Sequence, residues 1–166
     1  DYEITYSLVY SRYEDEEGKR HPLRGDLYMP VNTSGADTGE PLPTVLLIHG
    51  GGWRTGSKVQ MLLHAKKLAR HGYAAFAINY RLAPRHKFPA QVHDCKAAVR
   101  WLRMNADEYH FDPNRIAAYG YSAGAQLSCL LGTTDSSHGL EGPATESTAK
   151  AESKVSSSES QEVAAN

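Results

Sequence analysis

Four aliphatic residues in a row, Val45-Leu46-Leu47-Ile48, followed at once by His49-Gly50-Gly51-Gly52, constrain this chain more than any other feature. A strand that is apolar at every position has no polar face to offer water, so it belongs inside a parallel sheet covered on both sides. Residues 44–49 therefore predict a buried strand, and the apolar runs at 73–80 and 115–119 predict a second and a third. Stretches of helical period lie between and after them. Residues 57–71 open on Ser57, a capping residue, and stop at Gly72; residues 89–109 set Val92, Cys95, Val99, Leu102 and Ala106 on one face; residues 123–131 form a third helix. Ahead of these, residues 3–13 alternate Ile4, Tyr6, Leu8 and Tyr10 as a half-buried strand, and residues 23–29 form another that Pro30 ends. The expected class is α/β: two antiparallel strands first, then parallel strands with helices on both faces.

Charge and composition remove several functions. Eighteen basic against 19 acidic residues in 166, with no basic block, argue against nucleic acid as a partner. The longest purely apolar stretch, 73–78, is far too short to span a membrane. The chain opens at Asp1 with no basic-then-apolar leader, which leaves localisation open. Cys95 and Cys129 are expected as buried, unpaired thiols on helices. The acidic run 14–17 is a solvated turn, and 32–43 a loop rich in Gly, Thr and Pro. Composition shifts at Glu141: the last 26 residues hold six serines and five acids, with Val155 and Val163 as their branched apolar residues. Residues 1–140 are thus expected as the folded part and 141–166 as a low-complexity, disordered tail.

Both motifs that carry chemistry fall at the carboxyl end of an expected strand, the edge where ligands bind in open α/β sheets. His49-Gly50-Gly51-Gly52-Trp53 brings bare backbone N–H groups within reach of a ligand. Gly120-Tyr121-Ser122-Ala123-Gly124 has the G-x-S-x-G spacing that lifts a serine hydroxyl above a sheet on a sharp strand-to-helix turn. The segment 51–58, Gly-Gly-Trp-Arg-Thr-Gly-Ser-Lys, nearly spells a P-loop, but Ser57 precedes Lys58 where the phosphate loop needs the reverse, and no later strand ends in a metal-holding Asp. A dinucleotide fingerprint is likewise out of register. No cofactor is indicated, and His93-Asp94-Cys95 is not read as a metal site, because adjacent helical residues point in different directions.

With these motifs in this order, the chain resembles the α/β-hydrolase superfamily, and within it esterases of the hormone-sensitive-lipase and BD-FAE types. The resemblance rests on residues 48–53 (Ile-His-Gly-Gly-Gly-Trp), 79–84 (Asn-Tyr-Arg-Leu-Ala-Pro), 88–91 (Phe-Pro-Ala-Gln), 112–116 (Asp-Pro-Asn-Arg-Ile) and 120–124. Arg85 stands where these esterases usually carry Glu, and Ala125 where Gly is common. The resemblance implies a serine hydrolase of small-molecule carboxylic esters, with Ser122 as nucleophile, the N–H groups of Gly51, Gly52 and Ala123 as the oxyanion hole, and His49 and Gly50 shaping the loop.

A serine esterase also needs a His to accept the hydroxyl proton and an acid to orient it, both following the nucleophile in this superfamily. After Ser122 the only Asp is Asp135 and the only His is His138, expected together in a surface loop beyond the third helix and too far away. His64 and His71 sit on the first helix. His86, after Arg81, has no acid placed behind it. The acid and base are therefore expected to be absent from this chain, as in a truncated hydrolase domain, and the third strand then becomes an open edge through which chains can associate. The alternative is a catalytically inactive hydrolase-fold fragment or a binding pseudoenzyme.

Overall fold

In the computed structural model, residues 1–31 and 39–143 are described. The expected loop at 32–43 falls partly, and the expected tail at 141–166 mostly, outside them. Five strands form one mixed sheet in the order β1-β2-β4-β3-β5. The first two, β1 (Tyr2–Glu14) and β2 (Arg20–Pro30), make a long antiparallel hairpin. Its turn is held by Asp15, whose carboxylate accepts from the N–H groups of Glu17 and Lys19. β2 also pairs antiparallel with β4 (Ala74–Ile78). From there the sheet is parallel: β3 (Leu42–Ile48) lies between β4 and β5 (Phe111–Gly120).

The apolar run is explained by period two. Leu46 and Ile48 point to one face, where they join Phe76, Ile78, Cys95, Ala98, Trp101, Leu102 and Leu127. Val45 and Leu47 point to the other and meet Met61, Ala65 and Ala69. Helix α1 (Leu62–Arg70) covers the second face, while α2 (Ala90–Met104) and α4 (Ala123–Thr133) contribute to the first. At about 25 cal/mol per Å² of apolar surface, each buried Leu or Ile contributes roughly 1.5–3 kcal/mol, so a strand buried on both faces is strongly fixed in register. Among the described residues no helix is long and apolar enough to cross a membrane.

Four expectations need correction. The strand at 115–119, whose composition reads as buried, is the outer strand that the expected open edge calls for, with Ala117, Ala118 and Tyr119 exposed, because among the described residues β5 has a partner on one side only. It also begins earlier, at Phe111, and residues 112–115 interrupt its ladder with β3. The single helix expected over 89–109 breaks at Asn105, whose side-chain amide donates to the Trp101 carbonyl (2.8 Å); a four-residue helix, α3 (Ala106–Tyr109), follows. Cys129 is exposed rather than buried. The helix expected from Ser57 starts as a 3₁₀ turn, Lys58–Met61, before α1. Cys95 is buried and free, as expected.

Candidate functional site

The chain turns sharply at Ser122, between the end of β5 and the start of α4. Its backbone has φ 53° and ψ −122°, outside the regions that a side-chain-bearing residue favours, a strain worth about 1–3 kcal/mol. The conformation is imposed by contacts on either side. A Cβ at Gly120 would lie 2.4 Å from the backbone carbon of Gly124, and one at Gly124 would lie 2.1 Å from the Ile48 carbonyl oxygen. Only glycine fits at either position. Ser122 itself is exposed, at the N-terminus of an 11-residue helix whose first N–H groups carry partial positive charge.

The glycine loop lies against this turn. Gly51 (φ +117°), Gly52 (φ +59°) and Trp53 (φ +61°) carry the chain through left-handed backbone. The Gly51 carbonyl accepts from the N–H groups of Arg54 and Thr55, which folds the loop on itself. Among the described residues, the N–H groups of Gly51, Gly52 and Ala123 have no protein acceptor. Gly50 packs directly on Tyr121, the residue before the serine.

His49 sits beneath the loop, 1% exposed. It stacks on Tyr80 (ring centroids 4.3 Å apart) and donates from Nδ1 to the Gly50 carbonyl (2.7 Å). Burial holds its imidazole below the ordinary histidine range, so it is neutral at pH 7. Tyr80 in turn donates its hydroxyl to the His49 carbonyl (2.9 Å). A second support stands behind the loop. Lys58 N–H donates to Asn79 Oδ1 (2.7 Å), and the Lys58 ammonium pairs with Asp26, which also accepts from Ser7 N–H (2.8 Å). The strand-end loop after β4 is fixed by Asp94: its carboxylate, 2% exposed, receives the Arg81 N–H and guanidinium at 2.6–3.0 Å. The Ala83 N–H then donates to the Trp53 carbonyl (2.8 Å), tying that loop to the glycine loop. A cleft of about 330 Å³ opens here, lined by Gly52, Trp53, Arg54, Ala83, Phe88, Gln91, Gln126 and Leu127.

The residues considered as acid and base lie elsewhere. Asp135 and His138 do pair (Nδ1 to Oδ1, 2.9 Å), but in a 3₁₀ turn, with Asp135 also accepting from Ser137 N–H. They follow the 11 residues of α4, which span about 16 Å. His86 packs edge-on against Tyr13 of β1, on the strand farthest in the sheet from β5. His64 contacts Tyr119, and His71 caps its own helix through Lys67. The neighbours His93, Asp94 and Cys95 diverge: Asp94 holds Arg81, Cys95 enters the core, and His93 lies under Gly142. Tyr80, Lys58, Asp26 and Gln126 had no assigned role in the sequence, and no local signal pairs Asp26 with Lys58, 32 residues away.

Comparison with known proteins agrees with this architecture. The family model described as BD-FAE matches residues 26–164. Esterase LipC of Mycobacterium tuberculosis is 40% identical over 96 residues, covering 57% of this chain and 24% of that protein. Carboxylesterase NlhH of the same species is 43% identical over 94 residues, covering 54% and 28%. Among solved structures, apo esterase 2 of Thermogutta terrifontis superposes with a TM-score of 0.69 at 30% identity, over 86% of this chain and 50% of that one. A hyperthermophilic esterase from Pyrobaculum calidifontis gives 0.66 at 32%, over 82% and 40%. The chain thus spans about a quarter of these curated relatives and about half or less of these structures.

Proposed function

We propose a catalytic reading for a chain that, by its match over residues 26–164, belongs to the BD-FAE family within the α/β-hydrolase fold: it supplies the nucleophile and oxyanion hole of a serine carboxylic-ester hydrolase. Ser122 Oγ attacks the carbonyl carbon of a small-molecule ester. The N–H groups of Gly51, Gly52 and Ala123 receive the oxyanion, each donor lowering the barrier by about 3 kcal/mol. The hydroxyl proton passes to a histidine and from it to the departing alkoxide, and water then releases the acyl group from the serine. That histidine and its acid come from outside the described residues, since His86 and the Asp135–His138 pair stand away from Ser122. His49 acts as a neutral prop for the glycine loop, not as the base.

The observation that carries this reading is the backbone of Ser122, held at φ 53° between glycines and against a loop of unpaired N–H groups. An ordinary loop serine has no reason to sit in that geometry. The names of the relatives point to the same chemistry. Residues 1–166 alone are then a poor catalyst, retaining at best the 10³–10⁴-fold advantage over water that binding and an oxyanion hole supply without a working triad.

The test uses a longer protein that contains residues 1–166. It should hydrolyse p-nitrophenyl acetate and be labelled by a fluorophosphonate at Ser122. Ser122→Ala should abolish both while leaving the circular dichroism spectrum unchanged. Near-normal turnover by that variant would refute the assignment.

A further inference from the structure

The cleft between the glycine loop and the first turns of α4 has an uneven chemistry. Trp53 and Phe88 give it apolar walls, Gln126 follows the serine by one helical turn, and Arg54 lines it as a cation. Among the described residues no acidic one lines it. Among the described residues Arg54 forms no ion pair, nor do Arg85 and Lys87 on the loop that contributes Phe88. Asp94, the acid that anchors this loop, is already held by Arg81. In a chain of net charge −1, the entrance to the site is therefore locally cationic. A guanidinium presents a planar fork of donors that matches a carboxylate bidentately.

We propose that this cleft selects esters whose acyl chain or alcohol carries a second, free carboxylate, and that Arg54 is the residue that reads it. Trp53 and Phe88 cover the hydrocarbon between the ester and the acid, and Arg85 and Lys87 add long-range attraction. The inference rests on the Ser122 reading for where the ester carbonyl sits, but its test does not require turnover.

Trp53 is 42% exposed and lines the cleft, whereas the other tryptophan, Trp101, is buried, so ligand entry can be read as quenching of Trp53 fluorescence in the 166-residue chain. At pH 7 and low salt, monoethyl adipate should bind at least about fivefold more tightly than diethyl adipate, as expected for one partly solvated charge-assisted contact. Trp53→Phe should remove the signal. Arg54→Gln should erase the preference, Arg54→Lys should keep part of it, and 0.5 M NaCl should weaken it. Equal binding of the two esters, a preference that survives Arg54→Gln, or no quenching by either ester would overturn the proposal. A charge preference without fluorophosphonate labelling of Ser122 in the longer protein would sink the nucleophile assignment alone; labelling without the preference would sink this one alone.

Discussion

Replacing Gly124 by Ala isolates the contact that joins the serine turn to the glycine loop. An added Cβ would lie 2.1 Å from the Ile48 carbonyl oxygen and 2.8 Å from that of His49. Both are backbone atoms at the end of β3, a strand hydrogen bonded on both sides, so no flexible side chain can move aside. Either α4 or the strand end must retreat by ~1 Å. Overpacking of this kind costs about 1–3 kcal/mol and more where backbone must shift, so a loss of about 3 kcal/mol is expected. With a urea dependence of about 2 kcal/mol per M, the unfolding midpoint should fall by about 1.5 M. Gly132 on the same helix is the control. It is exposed, a Cβ there meets nothing within 4 Å, and its backbone φ is not in the left-handed region. Gly132→Ala should raise the midpoint by a few tenths of a molar, because alanine is the better helix former by about 0.5–1 kcal/mol. The two substitutions are chemically identical and should differ in sign. If Gly124→Ala unfolds no earlier than the parent, the interlock between the two motifs does not exist as described.

Two other outcomes are expected. Arg81→Met leaves the Asp94 carboxylate buried without its cation and should cost about 3–5 kcal/mol in urea unfolding, while the double variant with Asp94→Leu should recover most of it; a single-variant loss below about 1 kcal/mol would contradict the pair's role. Burial holds His49, His86 and His93 below their ordinary value of 6.5, so the unfolded chain takes up protons first as pH falls; the urea midpoint should be flat above about pH 7 and decline from 6.5 towards 5, and a flat profile over that range would refute the burial of these rings as the cause.

The parts of this fold that sequence reveals are those where a residue's neighbours are set by period. Val45 to Ile48 must be covered twice, and Leu46/Ile48 and Val45/Leu47 divide between the two core clusters. The same reasoning misreads β5, since Ile116-Ala117-Ala118 looks like β3 in composition, and nothing in a strand's own residues says whether a further strand lies beside it. Asp112-Pro113-Asn114 leaves the ladder, which separates Phe111 from the apolar run it belongs with. Cys129 lies about 200° around α4 from buried Leu127, a distinction lost in a helix that is apolar on most faces. The same divide runs through the site. The glycine loop and the serine turn are contiguous in sequence and carry their geometry in glycine spacing. Asp26 and Lys58, or Arg81 and Asp94, are partners only after the sheet has formed.

The two motifs, 70 residues apart in sequence, are one mechanical unit. Three glycines make it so. Gly50 admits Tyr121, Gly120 lies against the Ile48 carbonyl, and Gly124 lies against Ile48 and His49. Each is a glycine of one motif fitted against the other motif or the strand end that carries it. The separation between the loop N–H groups and the serine hydroxyl is therefore set largely by backbone packed on backbone, which does not change when side chains do. His49 and Tyr80 close the unit from below by stacking, with His49 Nδ1 donating to the Gly50 carbonyl and the Tyr80 hydroxyl to the His49 carbonyl. Side chains that face outward from it, Trp53, Arg54, Phe88 and Gln126, carry none of that framework and instead line the cleft. On the proposed reading, chemistry and selectivity rest on separate sets of atoms. A change at Arg54 should alter which ester enters without moving Ser122, whereas a methyl group at Gly124 should disturb the Ser122 turn whatever ester is offered.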